Sequence, residues 1–159
     1  MLKQKNSFIV RGGIWVLAQI PLMLVVLLIP LWYGAGHFVP AGMWSLAGMM
    51  LTVSGFFLTV WALKSLGEAL TPFPQPLDGV TLNQRGLYRW MRHPIYSGVM
   101  LAGFGWALWW LSAAGALFAL VLALFFDRKA AQEEIWLRQK YPDYPNYTRR
   151  VKKFIPGVY

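Results

Sequence analysis

The chain has 159 residues, 57% of them hydrophobic and only 13% charged, with a net charge of +9. Soluble domains carry about 25% charged residues, so this composition points away from an ordinary soluble enzyme. Cysteine is absent and His37 and His93 are the two histidines. Disulfide frames, thiolate chemistry and zinc clusters of the usual spacing are therefore excluded, and no metal is expected.

Lys3, Lys5 and Arg11 lead the chain, and from Gly12 to Leu63 there is no charged residue. That run is too long for a cleaved signal peptide and long enough for two membrane crossings, each needing about 20 residues. The expected helices cover Ile14 to Tyr33 and Gly42 to Leu63, joined by a turn rich in helix breakers from Gly34 to Pro40. Trp32, Tyr33 and Trp44 suit an outer membrane interface, and His37 reads as an interfacial residue of that turn. Gly48, Thr52, Gly55 and Thr59 share a helical face. They fit either close approach of another helix or a lipid-facing surface.

Lys64 to Arg92 follows as a polar connection. Its Thr71-Pro72-Phe73-Pro74-Gln75-Pro76 stretch reads as a stiff extended loop. Pro94 to Phe126 is again free of charge. It is too long for one span and short for two. A hairpin turning near Leu111 to Gly115 keeps all three basic clusters on one side, which the positive-inside rule favours. Its short arms require tilt or a thinned bilayer. Asp127 to Gln139 reads as a helix of mixed charge. Asp143 to Tyr159 is a basic, aromatic tail lying on the membrane or folding over a site.

The expected fold is thus an all-α integral membrane protein with about four transmembrane helices. The last two form a short helical hairpin, followed by a cytoplasmic C-terminal helix and tail. Residues 1–159 form a single membrane domain, with an N-terminal two-helix hairpin over 1–63. Both termini lie in the cytoplasm, and a bacterial inner membrane is the expected location. Because each basic cluster abuts an apolar run, the expected contacts of the cations are membrane lipids, not nucleic acid.

Three clusters carry chemistry. The first, Gly86 to Gly98, packs Arg92, His93 and Tyr96 at the entrance of a helix. It fits either a juxtamembrane anchor or a site. Pro94 suits the first helical turn, which leaves His93 at a helix N-terminus fit for an anionic group. The second is Glu133-Glu134, whose carboxylates point to different helix faces. One can serve a site while the other meets solvent or an arginine. The third, Tyr144 to Pro156, reads alone as a membrane-surface segment.

Together, Arg-His-Pro-x-Tyr, a charge-free hairpin, Glu-Glu-x-x-Leu and Tyr-x-x-Arg-Val-x-x-Phe-Ile-Pro resemble the isoprenylcysteine carboxyl methyltransferases. That family is grouped with the phospholipid methyltransferases. The resemblance covers roughly Lys64 to Pro156. It implies a membrane methyltransferase using S-adenosyl-L-methionine without a Rossmann domain, with 64–159 as the cofactor-binding catalytic half. The implied cofactor shell is Thr81, Leu82, Asn83, Tyr88, His93, Pro94, Ile95, Tyr96 and Glu133. Arg92, His93, Tyr96, Lys129, Glu133 and Glu134 are implied to carry the catalysis.

The implied acceptor is a lipid or a prenylated small molecule or protein, methylated on a carboxyl oxygen or an amine. Lys129 stands where the carboxyl methyltransferases carry an arginine, and lysine is a point charge without a bidentate fork. The acceptor is therefore left unnamed. Competing readings are an NADPH-dependent membrane reductase related to the sterol reductases and a non-catalytic membrane subunit.

Overall fold

A computed structural model describes residue 8 and residues 11–34, 42–67 and 71–159. The expected turn with His37 lies outside the described residues. Five α-helices form the frame: α1 (Gly13–Tyr33), α2 (Met43–Leu66), α3 (Pro94–Trp109), α4 (Ala113–Lys140) and α5 (Tyr144–Arg150). A short 3₁₀ helix, Gly86–Arg89, precedes α3. There is no strand among the described residues, only an isolated parallel bridge between Met91 and Lys152.

α1 and α2 are long and apolar enough to cross a membrane. Leu24, Leu28, Phe56, Phe57 and Trp61 point outward on them. A core helix of a soluble domain would bury such side chains, and large exposed apolar patches mark surfaces that meet a membrane or another protein.

The small-residue face of α2 is taken up inside the molecule. A Cβ at Gly55 would sit 2.4 Å from the Ala102 nitrogen and 2.6 Å from the Gly98 oxygen. One at Gly48 would sit 2.3 Å from the Trp109 nitrogen, and one at Gly105 2.4 Å from the Thr52 nitrogen. α2 and α3 thus touch backbone to backbone, the contact that small residues allow in membranes. Thr52 and Thr59 donate back to the Gly48 and Gly55 carbonyls at 2.9 and 2.8 Å. Their hydroxyls are satisfied without a lipid partner. α1 packs on α4 and α3 instead, with Pro30 against Gly115 and Val26 against Gly103. The close helix pairs therefore cross the partition at residue 63 drawn from the sequence.

α3 and α4 are joined by a tighter turn than expected. Leu111 adopts a left-handed φ of 49°, and the Ser112 hydroxyl caps α4 by accepting from the Gly115 N–H at 3.0 Å. The expected separate helix from Asp127 does not exist. α4 runs unbroken through Phe126 and Asp127 for 28 residues. No glycine or proline interrupts Ala116 to Lys140, so the change from apolar to charged residues leaves the backbone untouched. α2 likewise extends to Leu66, past Lys64.

One end of the bundle gathers the polar segments. Arg11 lies 4.4 Å over the Phe73 ring, and Gly12 abuts Pro74 and Trp136. Asn83 Nδ2 donates to the Ser65 carbonyl at 2.6 Å, pinning the 71–85 loop to the end of α2. The tail folds over this end. The Arg92 and His93 N–H groups donate to the Lys152 and Lys153 carbonyls at 2.8 and 3.0 Å. Lys153 pairs with Asp127 at 2.5 Å, where Tyr159 also donates.

Candidate functional site

The site lies where the start of α3, the charged half of α4, the 71–83 loop and α5 converge. Its foundation is a buried ion cluster. Glu134 is 6% exposed and accepts from Arg92 Nε at 2.9 Å. The same Glu134 oxygen stands 3.1 Å from His93 Nε2. Arg92 also donates to the Val151 carbonyl at 2.6 Å, tying the tail to the cluster. Burial pushes the Glu134 carboxyl up, but the His93 hydrogen bond and charge and the Arg92 pair outweigh it and hold the pKa at about 2. An ion pair satisfied on this many sides orients its members.

Glu133, one residue earlier, is turned toward the cavity. It accepts from the Tyr96 hydroxyl at 2.9 Å and lies 3.8 Å from His93 Nδ1. Glu133 belongs to the part of α4 beyond the apolar segment. Burial raises its pKa, against the opposing pull of His93, the Tyr96 hydrogen bond and Lys129. The His93 ring is parallel to Tyr96 at 5.5 Å, and Tyr96 stacks on Phe126 at 4.7 Å. Glu133 thus faces an aromatic wall, with burial raising its pKa above the ordinary glutamate value.

The cavity has two arms meeting at Tyr88, Arg92, His93 and Glu133. A narrow polar arm of about 90 Å³ runs under the loop, lined by Thr81, Leu82, Asn83, Tyr141, Tyr144 and Tyr147 among others. A roomier arm of about 370 Å³ passes Ile95, Tyr96, Lys129, Leu63 and Gln19. Tyr88 spans the junction. Burial raises its pKa, with Glu133 adding to the effect, so it stays a neutral hydroxyl. The Tyr144 hydroxyl in the polar arm is buried and has no protein partner. A buried hydroxyl left without a partner is costly, and a polar ligand in this arm would satisfy it.

The structure brings Thr81, Leu82, Asn83, Tyr88, Arg92, His93, Ile95, Tyr96, Lys129 and Glu133 to one cavity. Pro94 is buried at the start of α3 and does not line it, and Glu134 faces the ion cluster instead. The Asn83 side chain is already engaged with Ser65 and with the Arg85 N–H. The first bond within α3 runs from the Ser97 N–H to the His93 carbonyl. The N–H groups of Ile95 and Tyr96 therefore sit at the helix mouth, where an anion is favoured.

Sequence reasoning did not name Gln19, and it placed Tyr144 and Tyr147 in the tail cluster without assigning them to the cofactor or catalytic set. Gln19 carried a signal, the lone amide of an apolar helix. Tyr144 and Tyr147, 1% and 3% exposed, carried only the tail motif and no sign of burial, because a buried tyrosine and an interfacial one look alike in sequence.

The phospholipid methyltransferase family matches residues 43–144, which span α2 to the start of α5 and nearly the whole site. Among relatives, the chain is 35% identical over 115 residues to protein-S-isoprenylcysteine O-methyltransferase B of Arabidopsis thaliana, covering 70% of this chain and 58% of that one. It is 29% identical over 118 residues to a probable protein-S-isoprenylcysteine O-methyltransferase of Oryza sativa subsp. indica, covering 72% and 62%. It is also 29% identical over 115 residues to the steroid 5-alpha-reductase DET2 of Solanum lycopersicum, covering 68% and 41%. The chain spans between about two-fifths and three-fifths of the length of the methyltransferase relatives it matches. The family match, which extends over more than half of the chain, establishes that the chain belongs to the phospholipid methyltransferase family.

Proposed function

We propose that the protein transfers the methyl group of S-adenosyl-L-methionine to a lipidic or prenylated acceptor at the cytoplasmic face of a bacterial inner membrane. The observation that carries this reading is the two-armed cavity, with Glu133 at the junction, an orphaned Tyr144 hydroxyl in the polar arm and Lys129 in the other. α1 to α4 supply four spans, the last two as a short hairpin, and both termini lie inside. α3 has 16 residues and is about 24 Å long, less than the roughly 30 Å hydrocarbon core, so the bilayer thins or the pair tilts. Residues 1–159 act as one membrane domain whose 64–159 half carries most of the site.

The residues present fit the methyl donor. The polar arm offers Thr81, Leu82, the Asn83 backbone and Tyr144 to its polar groups. Glu133 suits an ammonium or ribose hydroxyls, and the Ile95 and Tyr96 N–H groups with His93 suit a carboxylate. Tyr88 and Tyr96 offer aromatic faces to a cation. When bound, the donor supplies a methyl group already activated by its sulfonium. The protein therefore has to align the acceptor and exclude water. Lys129 at the far arm suits an anionic acceptor group, so carboxyl O-methylation is favoured. A carboxylate needs no base, whereas an amine would have to lose a proton first. Arg92 and Glu134 keep His93 in place and touch neither arm's far end.

Isothermal titration of the detergent-purified protein with S-adenosylhomocysteine tests this reading. Saturable binding that is lost in Glu133→Ala supports it, and absence of binding to the native protein sinks it. The similarity to the steroid reductase DET2 favours a second reading, an NADPH-dependent reductase. Titration with NADPH separates the two. A C-terminal reporter active only outside the cytoplasm would refute the topology.

A further inference from the structure

Lys129 is 3% exposed and lies on the part of α4 beyond the apolar segment. Its ammonium donates to Gln19 Oε1 at 2.5 Å and to the Pro72 carbonyl at 3.4 Å. It stands 5.4 Å from the centre of the Tyr96 ring. Other cations around the site are held by carboxylates, Arg92 by Glu134 and Lys153 by Asp127. Among the described residues no ion pair joins Lys129 to a carboxylate. Glu133, one helical turn on, acts on Lys129 through its charge without touching it, and the groups that do hydrogen-bond the ammonium are neutral, so it keeps an attraction for a further anion.

Gln19 comes from α1, a helix with no charged residue and no other amide. α1 also lies outside the 43–144 family match. An amide in such a helix is costly unless hydrogen-bonded, and this one meets Lys129. Lysine has a flexible stem and no fork to orient it. An ammonium has three donors. Gln19 takes one, the Pro72 carbonyl takes a long second, and the third is left for the cavity that both side chains line.

We propose that Gln19 is a positioning residue. It steers the Lys129 ammonium so that its remaining N–H meets an oxygen of an anionic acceptor, which makes α1 part of the selection of anionic over amine headgroups. The proposal rests on the methyl-transfer reading above, and its test separates the two. Initial rates are measured with labelled methyl donor on N-acetyl-S-farnesylcysteine and on phosphatidylethanolamine vesicles, alongside S-adenosylhomocysteine affinity.

Gln19→Glu places a competing carboxylate on Lys129. It is expected to raise the farnesylcysteine KM by about tenfold or more, the loss of one charge-assisted hydrogen bond, with S-adenosylhomocysteine affinity within twofold of native. In a Lys129→Arg background, where the fork orients itself, Gln19→Ala should raise KM less than it does beside Lys129. That pair of variants decides the matter if Gln19→Glu fails to fold. A native-like KM in both tests overturns the proposal and leaves methyl transfer standing. So does native protein that binds S-adenosylhomocysteine yet does not methylate the farnesylcysteine. Native protein that does not bind S-adenosylhomocysteine overturns the methyl-transfer reading itself.

Discussion

Glu133 and Glu134 are neighbours in sequence, yet Glu133 accepts from Tyr96 at 2.9 Å on the cavity side of α4 while Glu134 accepts from Arg92 at 2.9 Å away from it. Adjacent helical residues point about 100° apart, so one carboxylate is held in the ion cluster and the other faces the cavity.

The two therefore respond differently to the same substitution. Glu134→Gln removes the anion beside buried Arg92, a loss of about 3 kcal/mol or more, and should lower the thermal midpoint of the purified protein. Glu133→Gln should leave that midpoint within a few degrees and weaken S-adenosylhomocysteine by at least tenfold by titration calorimetry. A reversed pattern would exchange their roles.

pH separates them as well. The Glu134 pKa lies at about 2, below its ordinary 4.5, so its contribution to stability is complete above 4.5 and is lost as pH falls toward 2. That contribution is about 3 kcal/mol. Thermal midpoints taken from pH 6 down to pH 3 should fall, and less steeply in Glu134→Gln. The Glu133 pKa is raised above 4.5, so its carboxylate is protonated sooner on acidification. S-adenosylhomocysteine affinity should drop with falling pH at values where an ordinary glutamate is still ionised, and the drop should vanish in Glu133→Gln.

Tyr144→Phe removes a buried hydroxyl that has no protein partner. Unliganded stability should be unchanged or raised by up to about 1 kcal/mol, because an unsatisfied group disappears. Affinity for S-adenosylhomocysteine should fall several-fold. Lower stability with unchanged affinity would show that the hydroxyl serves the fold alone.

Gly55→Leu and Gly98→Leu would drive a side chain into backbone atoms 2.4 to 2.8 Å from the added Cβ, with the Thr59 hydroxyl also 2.4 Å from that of Gly98. Each should cost about 3 kcal/mol or more, since backbone cannot yield as a flexible side chain does. Yield and thermal midpoint in detergent should fall sharply. Gly67→Ala, where a Cβ meets no neighbour but the backbone sits at φ +54° and ψ −127°, should cost about 1–3 kcal/mol through backbone strain alone.

The charge-free runs and the motif order made much of this legible in advance. Pro94 at the first turn of α3 announced a helix start beside His93, because proline lacks the N–H that the first turn leaves unpaired. The Glu-Glu pair announced two faces by helical geometry alone. The tail was open between membrane and site. Its choice depends on Tyr147 donating to the Tyr88 carbonyl across 59 positions, and no local pattern encodes a contact at that separation.

The sequence by itself determined the apolar character of the long helices and the part of the chain where the polar motifs gather. The apolar character of a long run and the clustering of cations are sums over many residues, indifferent to packing detail. Only the tertiary structure decided that Gly48 and Gly55 meet α3 and not lipid. It also decided that Glu134 is held by Arg92, and that Gln19 reaches Lys129 from 110 positions away. Those outcomes depend on which helix lies against which, and helix pairing is set by the fit of whole surfaces.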